Sequence, residues 1–268
     1  MTLAQAILTG SRRYLRSLLG RSRWLVALLD LRMEWLIACW LATFFVLASP
    51  RMLFPLTPVR TILDFIAIVM PYCLIAGAPI LGYRLAAGTF PRGALSAQPF
   101  FRLMPFGRWR KLDVIEASAH PQFGPFGFMA SLLIGILLNV PVRTFEFLLA
   151  VPAMNLHAPA WGSTLFLVMA GDVIMMNFLY MVCFVMALRS VPLFPRMLAF
   201  TWVLDLLSQL SIARQVMATP YVPEAVAGAL HQLLDGNVTK VLISVAVWLP
   251  YLLISERVNV TYRRRTAV

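Results

Sequence analysis

Six long apolar segments constrain the fold of this chain more than any other feature of its sequence. Each contains roughly 20 mostly apolar residues, the length that an α-helix needs to cross about 30 Å of hydrocarbon. With 60% hydrophobic and only 13% charged residues, the composition is unlike that of a soluble globular domain. The sequence therefore predicts an all-α fold, a polytopic transmembrane helical bundle. The predicted spans cover residues 33–54, 61–83, 126–151, 163–188, 194–218 and 238–255.

The excess of positive charge is explained by membrane topology. The 23 Lys and Arg residues outnumber the 11 Asp and Glu residues, a balance that would also suit a nucleic-acid-binding protein. If the N-terminus lies in the cytoplasm, however, 18 of the 23 basic residues fall on the cytoplasmic side and three fall on the other. The positive-inside rule therefore predicts that both termini are cytoplasmic, and no nucleic acid is expected as a partner.

The spans divide the chain into five parts. Residues 1–32 are basic and partly amphipathic, which predicts a helix that lies in the headgroup layer. Residues 33–84 form an N-terminal extension of two spans, and residues 85–125 form a cytoplasmic connection. A four-helix transmembrane domain over 126–262 and a basic tail over 263–268 complete the chain.

The cytoplasmic connection mixes aromatic with basic side chains. Such a mixture can stack on single-stranded nucleic acid, and beside a membrane it also suits the headgroup layer or a partner protein. We favour interfacial re-entry or partner docking, because the segment adjoins two predicted spans. The predicted partner interface comprises Arg102, Phe106, Arg108, Trp109, Arg110 and Lys111.

Signals for catalysis or metal binding are weak in this sequence. It contains no H-E-x-x-H, G-x-S-x-G, Walker A or G-x-G-x-x-G motif. The three cysteines lie within predicted spans without a C-x-x-C pair, and we expect them to be packing residues. No catalytic residue, metal site or cofactor is predicted, and a bound phospholipid fits a membrane protein of this kind.

Ionisable residues inside the predicted spans are the strongest functional signal, since each costs about 2.5–3.5 kcal/mol at the centre of a membrane helix. Arg143 and Glu146 share one helix face, and Asp205 and Gln209 share another, so these residues are expected to meet in the outer half of the membrane. Two interpretations stay open. One is a buried network that fixes the helices, and the other is a polar cavity that binds a substrate, a lipid headgroup or a proton. The predicted cluster comprises Arg143, Glu146, Asp172, Asn177, Asp205, Gln209 and Arg214.

The last span closes with a distinctive pattern. Residues 248–262 read Trp-Leu-Pro-Tyr-Leu-Leu-Ile-Ser-Glu-Arg-Val-Asn-Val-Thr-Tyr. This closing motif resembles the signature W-x-P-Y-x-x-x-S-x-R-V-x-x-T-[FY] of a bacterial four-helix inner-membrane family that is known as a domain of unknown function. The resemblance covers about residues 124–262 and implies a four-helix membrane fold without any attached activity. We expect the motif to anchor and pack the cytoplasmic end of the last helix.

These observations lead to a functional hypothesis and an alternative. We expect a multi-pass protein of the bacterial inner (plasma) membrane that acts as an accessory or scaffolding subunit, with membrane lipids and another membrane protein or complex as its partners. The alternative is a small transporter or lipid-handling protein that works through the predicted cluster. A weaker third hypothesis is an intramembrane enzyme that uses Asp172 and Asp205 as an acid/base pair.

Overall fold

The structure, a computed structural model, describes residues 20–93, 96–99, 108–155 and 157–268, and this part of the chain is almost entirely helical. The elements are α1 (Met33–Leu53), α2 (Ile62–Thr89), β1 (Trp109–Lys111), α3 (Val114–Ala119), α4 (Phe128–Ala150), α5 (Ala160–Leu188), α6 (Phe194–Met217), α7 (Glu224–Ile254), α8 (Glu256–Arg263) and β2 (Arg265–Ala267). Residues 20–31 are helical as well. The predicted all-α class is confirmed, whereas most of the predicted amphipathic helix lies outside the described residues.

Each of the six predicted spans corresponds to a long helix of the structure, namely α1, α2, α4, α5, α6 and α7. In the described part of the chain, five of these helices are long and apolar enough to cross a membrane, and α6 is not among them. Its polar residues Asp205, Gln209 and Arg214 lower its hydropathy. Multiple apolar helices are thus established, which is compatible with a multi-pass membrane protein.

Two helices extend beyond the predicted spans. The structure continues α2 to Thr89, and it begins α7 at Glu224, well before residue 238. Hydropathy misses these turns because they contain polar residues such as His231 and Asp235 that are still compatible with a helix. At 1.5 Å per residue, α7 is about 46 Å long and exceeds the hydrocarbon thickness.

Helix α5 is the centre of the bundle and packs against α2, α4 and α6. The backbones of α2 and α5 lie close together at Gly82 of α2, where an added Cβ would lie 2.6 Å from the carbonyl oxygen of Phe178. Glycine at this position therefore lets the two backbones come together. In contrast, α1 and α7 are peripheral, since only 11% of the most apolar window of each is buried within the chain.

One end of the bundle, here called the terminal end, brings together the described N-terminal helical segment and the C-terminus. Ser22 accepts a hydrogen bond from the backbone N–H of Gly127 at 2.9 Å, and the Arg23 guanidinium lies 5.6 Å from the centre of the Phe126 ring. Asp30 pairs with Arg92 at 2.7 Å. The N-terminal segment is therefore fixed to the start of α4 and to the chain that follows α2.

The opposite end is closed by the α1–α2 and α4–α5 connections. Thr57 accepts the backbone N–H of Asn155 at 2.9 Å, and the Asn155 amide donates to the carbonyl oxygen of Pro58 at 3.0 Å. Asp64 caps the first turn of α2 together with Thr61, and its carboxylate contacts the His157 ring at 3.0 Å. Polar side chains thus satisfy the backbone where the helices end.

Candidate functional site

A guanidinium between two carboxylates forms the centre of the candidate site. Arg143 of α4 donates from Nη1 to Asp172 of α5 at 2.8 Å, and from Nη2 to both carboxylate oxygens of Asp205 of α6 at 2.7 and 2.6 Å. Asp205 is fully buried, Asp172 is 5% exposed and Arg143 is 9% exposed. Because a buried charge is tolerated only when it is paired and hydrogen-bonded, these contacts hold three helices in a fixed arrangement.

Neutral side chains satisfy the remaining carboxylate oxygens. The Tyr180 hydroxyl donates to Asp205 at 2.9 Å, and the Ser208 hydroxyl donates to Asp172. The Gln209 amide donates to Asp172 at 3.4 Å and to Asp205 at 3.3 Å, and its oxygen accepts from Asn237 of α7 at 3.1 Å. A continuous hydrogen-bond network therefore joins α4, α5, α6 and α7. We call this set the polar cluster: Arg143, Asp172, Tyr180, Asp205, Ser208, Gln209 and Asn237.

A second ion pair lies beside the polar cluster. Glu146, one turn after Arg143 on α4, pairs with Lys240 of α7. The Lys240 ammonium also lies 3.5 Å from the side-chain oxygen of Asn237. This pair links α4 to α7 in a more open environment, because the two side chains are 32% and 54% exposed.

A cavity of about 230 Å³ separates α4 from α7, and we call it the cleft. Its polar wall combines the buried guanidinium of Arg143 with the half-exposed ion pair of Glu146 and Lys240. Leu138 and Val142 contribute apolar surface on the α4 side. Arg143 lies about 22 Å along α4 from its first residue, and Lys240 lies about 21 Å along α7 from its last. Both helices are measured from the terminal end of the bundle, so Arg143 and Lys240 lie at about the same depth in it.

Four of the seven predicted cluster residues, Arg143, Asp172, Asp205 and Gln209, come together in the polar cluster. Glu146 lies beside them in the cleft. The remaining two, Asn177 and Arg214, do not join.

Asn177 and Arg214 have different environments. The buried Asn177 amide donates to Thr144 at 2.8 Å, and its oxygen has no hydrogen-bond partner in the part of the chain that the structure describes. Arg214 is exposed and forms no ion pair with any described residue. Nine positions separate it from Asp205, which at about 100° per residue places the two on opposite sides of α6. Arg214 was predicted to join the cluster because it lies in the same half of the membrane, and that argument ignores the side of the helix on which it lies.

Four site residues were missed by the sequence analysis: Tyr180, Ser208, Asn237 and Lys240. Tyr180 and Ser208 carry no distinguishing pattern in an apolar helix. Hydropathy alone begins the last span at residue 238, which places Asn237 in the outward connection and Lys240 among the basic residues of the outer side. The helical start at Glu224 is what brings both residues into the body of α7. Their spacing of three on one helix would have been the available signal.

The predicted partner interface is only partly described. Arg102 and Phe106 lie outside the described residues, whereas Arg108 to Lys111 are visible. Strand β1 pairs antiparallel with β2, which aligns Trp109 with Ala267, Arg110 with Thr266 and Lys111 with Arg265. The Arg265 guanidinium lies 5.2 Å from the centre of the Trp109 ring. The chain's own C-terminal tail therefore covers one edge of this segment.

The closing motif packs at the terminal end. Trp248 and Tyr251 contact the ring of Phe128, with ring centres 4.9 and 5.0 Å apart. Arg257 donates to the carbonyl oxygen of Gln122 at 3.1 Å, and the Thr261 hydroxyl accepts the N–H of Gly124 at 3.0 Å. These contacts join the end of α7 and α8 to the chain that leads into α4.

Burial changes the acid–base properties of the residues that end α8. The Tyr262 hydroxyl donates to the carbonyl oxygen of Ala187 at 2.8 Å, and burial raises the pKa of Tyr262 well above its usual value. Burial, together with the smaller effect of the neighbouring charges of Arg265 and Arg196, lowers the pKa of Arg263 to about 10. Arg263 is still a cation at neutral pH, and it donates to Asn259 at 2.9 Å.

Comparisons with known proteins do not assign a function to this arrangement. No protein-family model, curated protein or solved structure gives a significant match to the chain. The resemblance of residues 124–262 to a four-helix family therefore stays a prediction. Within the described residues, no group of three or more His, Cys, Asp or Glu side chains is arranged to hold a metal ion.

Proposed function

We propose that this chain is a six-span protein of the bacterial inner membrane that binds a lipid or a small polar substrate in the cleft between α4 and α7. The observation that carries the proposal is the charged wall of the cleft, where Arg143, Glu146 and Lys240 border an open cavity between α4 and α7. Charged side chains at this depth of a membrane cost free energy, and in membrane proteins they mark structural networks or binding sites. The closed polar cluster behind the cleft supplies rigidity, and the cleft supplies room for a ligand.

Helix α6 is the proposed sixth span. Its polar residues Asp205 and Gln209 are buried against α4 and α5, while its outward side chains are large and apolar. Examples are Phe200, Val203 and Leu210, each more than half exposed in the isolated chain. A helix with this division suits a lipid environment outside and a polar network inside.

With six spans, both termini lie on one side of the membrane, and the density of arginine at the terminal end favours the cytoplasm. The test is cysteine labelling in intact cells after the exposed Cys39 and Cys73 are replaced by serine. A cysteine at Arg110 should react with a membrane-impermeant maleimide only after permeabilisation, and one at Ala158 should react directly. The reverse pattern would contradict the proposed orientation.

The cleft is tested by filling it. Gly135 lies in the cleft wall with no atom within 4 Å of an added Cβ, so that Gly135→Phe fills the cavity without a clash at its Cβ. Gly171→Phe is the matched control, because Gly171 is also exposed on a helix with open space around it and lies outside the cleft. Native mass spectrometry after extraction in a mild detergent should detect a lipid or small molecule on the wild type and on Gly171→Phe, and not on Gly135→Phe.

The accessory-subunit hypothesis is kept as the second candidate because of one observation. Only 11% of the most apolar window of α1 and of α7 is buried within the chain, which leaves each helix a lateral face for another membrane protein or for lipid. A protein that co-purifies in a fixed ratio and is retained by Gly135→Phe would favour this candidate. If such a protein co-purifies and no lipid or small molecule is lost in Gly135→Phe, the proposed binding function is contradicted.

A further inference from the structure

The opening of the cleft carries one charge of each sign. Glu146 and Lys240 pair with each other from opposite walls, and neither forms another ion pair with a described residue. Both side chains are partly exposed and line the cavity. A ligand that enters the cleft therefore meets a carboxylate on α4 and an ammonium on α7.

The third charged residue of the cleft wall, Arg143, is already engaged, because its guanidinium donates to both Asp172 and Asp205. The charges left for a ligand are therefore Glu146 and Lys240. A purely anionic ligand would take Lys240 from Glu146 and leave that carboxylate without an ion-pair partner. A purely cationic ligand would take Glu146 from Lys240 and leave the ammonium without an ion-pair partner, which is costly at this depth of a membrane.

We propose that the ligand of the cleft is a zwitterion, which carries a phosphate or carboxylate together with an ammonium, as the headgroup of a zwitterionic phospholipid does. This inference rests on the proposed binding function of the cleft. The ligand anion takes the place of Glu146 beside Lys240, and the ligand ammonium takes the place of Lys240 beside Glu146. Each charge of the protein then keeps a partner of opposite sign.

Two further features of the cleft fit such a ligand. The Asn139 side chain lines the cavity and makes no hydrogen bond to any residue within the described ranges, so its amide can both donate to and accept from the ligand. Leu138 and Val142 are about half exposed along the same wall. An acyl chain can therefore lie against α4 while the headgroup enters between the helices.

The test compares three lipids with identical acyl chains on the delipidated full-length protein in detergent, by native mass spectrometry. These are a phosphatidylethanolamine, an anionic phosphatidylglycerol and a cationic diacyl trimethylammonium-propane. We expect the wild type to bind the phosphatidylethanolamine about tenfold or more tightly than either of the others. Equal binding of all three, or a preference for a singly charged lipid, would overturn the zwitterion assignment.

Charge variants show whether the ion pair is responsible for the preference. Glu146→Gln should shift binding toward the anionic lipid, and Lys240→Gln should shift it toward the cationic lipid. The exchanged pair, Glu146→Lys with Lys240→Glu, should restore the preference for phosphatidylethanolamine. Glu34→Gln is the matched control, because Glu34 pairs with Arg84 at 2.6 Å between α1 and α2, away from the cleft. A preference that is unchanged in both single cleft variants would overturn the assignment.

Gly135→Phe separates a failure of this inference from a failure of the proposed function. Lipid that still binds when the cleft is filled would exclude the cleft as the site, whereas cleft-dependent binding without selectivity would overturn the zwitterion assignment alone. Thermal unfolding of each variant confirms that it is folded. Soluble glycerophosphoethanolamine that displaces the lipid would identify a free zwitterion as the ligand, and failure to displace it would identify the lipid.

Discussion

Arg143 of α4 holds Asp205 of α6 through one guanidinium nitrogen that reaches both carboxylate oxygens, at 2.7 and 2.6 Å. The other terminal nitrogen of the same guanidinium binds Asp172 of α5. One side chain therefore fixes the relative rotation of three helices. Asp205 and Gln209 are among the polar residues that make α6 the least apolar of the six long helices, and both face this network rather than the surroundings.

Removal of Arg143 should be the most damaging single change in the polar cluster. Arg143→Gln leaves two buried carboxylates without a cation, and we expect it to destabilise the folded protein by about 3–5 kcal/mol. Asp205→Asn should cost less, because Arg143 keeps Asp172 as its partner in a balanced pair. Thermal unfolding in detergent compares the variants.

The control for this prediction removes all three charges together. Arg143→Gln combined with Asp172→Asn and Asp205→Asn leaves hydrogen-bonding groups of similar shape and no buried charge. It should be more stable than Arg143→Gln alone. If the triple variant is less stable than the single variant, charge pairing is not what the cluster contributes.

The sequence predicts this cluster in part because helix geometry relates residues on one element. Asp205 and Gln209 are four positions apart and share a face, as expected. Glu146 is three positions from Arg143, a rotation of about 60° that turns it toward the cleft instead of toward Asp172. Which helices face each other is decided by packing between elements, and single-helix periodicity contains no information about it.

The β1 and β2 strands illustrate a second limit. Each contains three residues, too few for the alternation of apolar and polar residues that marks a strand. Their pairing joins the connection after α2 to the C-terminal tail. In contrast, the six long helices were predictable, because each coincides with a long, mostly apolar segment of the sequence.

Gly82 should be essential for the contact between α2 and α5. In Gly82→Ala the new Cβ would lie 2.6 Å from the carbonyl oxygen of Phe178, a backbone atom that can move only with its helix. We expect a clear drop in the thermal unfolding temperature, by the overpacking cost of about 1–3 kcal/mol. Gly77→Ala is the matched control on the same helix, because nothing lies within 4 Å of its added Cβ. Equal effects of the two changes would show that loss of glycine, and not close packing, matters.

The closing motif should depend on its buried hydroxyl. Thr261→Val keeps the shape of the side chain but removes the acceptor for the N–H of Gly124, and Thr261 is only 2% exposed. An unsatisfied buried N–H costs about 1–3 kcal/mol, so the variant should unfold at a lower temperature. Thr266→Val is the control, because its hydroxyl donates to Glu256 in a more open position. A larger effect of Thr266→Val would contradict the burial argument.

The register of the small sheet gives a geometric prediction. Arg110 lies opposite Thr266 in the antiparallel pair, so cysteines at these two positions should form a disulfide on mild oxidation in a background without Cys39 and Cys73. Lys111→Cys with Thr266→Cys is the control, since neighbouring residues of a strand point to opposite faces. Mass spectrometry of the digested protein detects the crosslink. Equal crosslinking of both pairs would mean that the tail does not hold this register, and that the surface of Arg108 to Lys111 is free to bind a partner in its place.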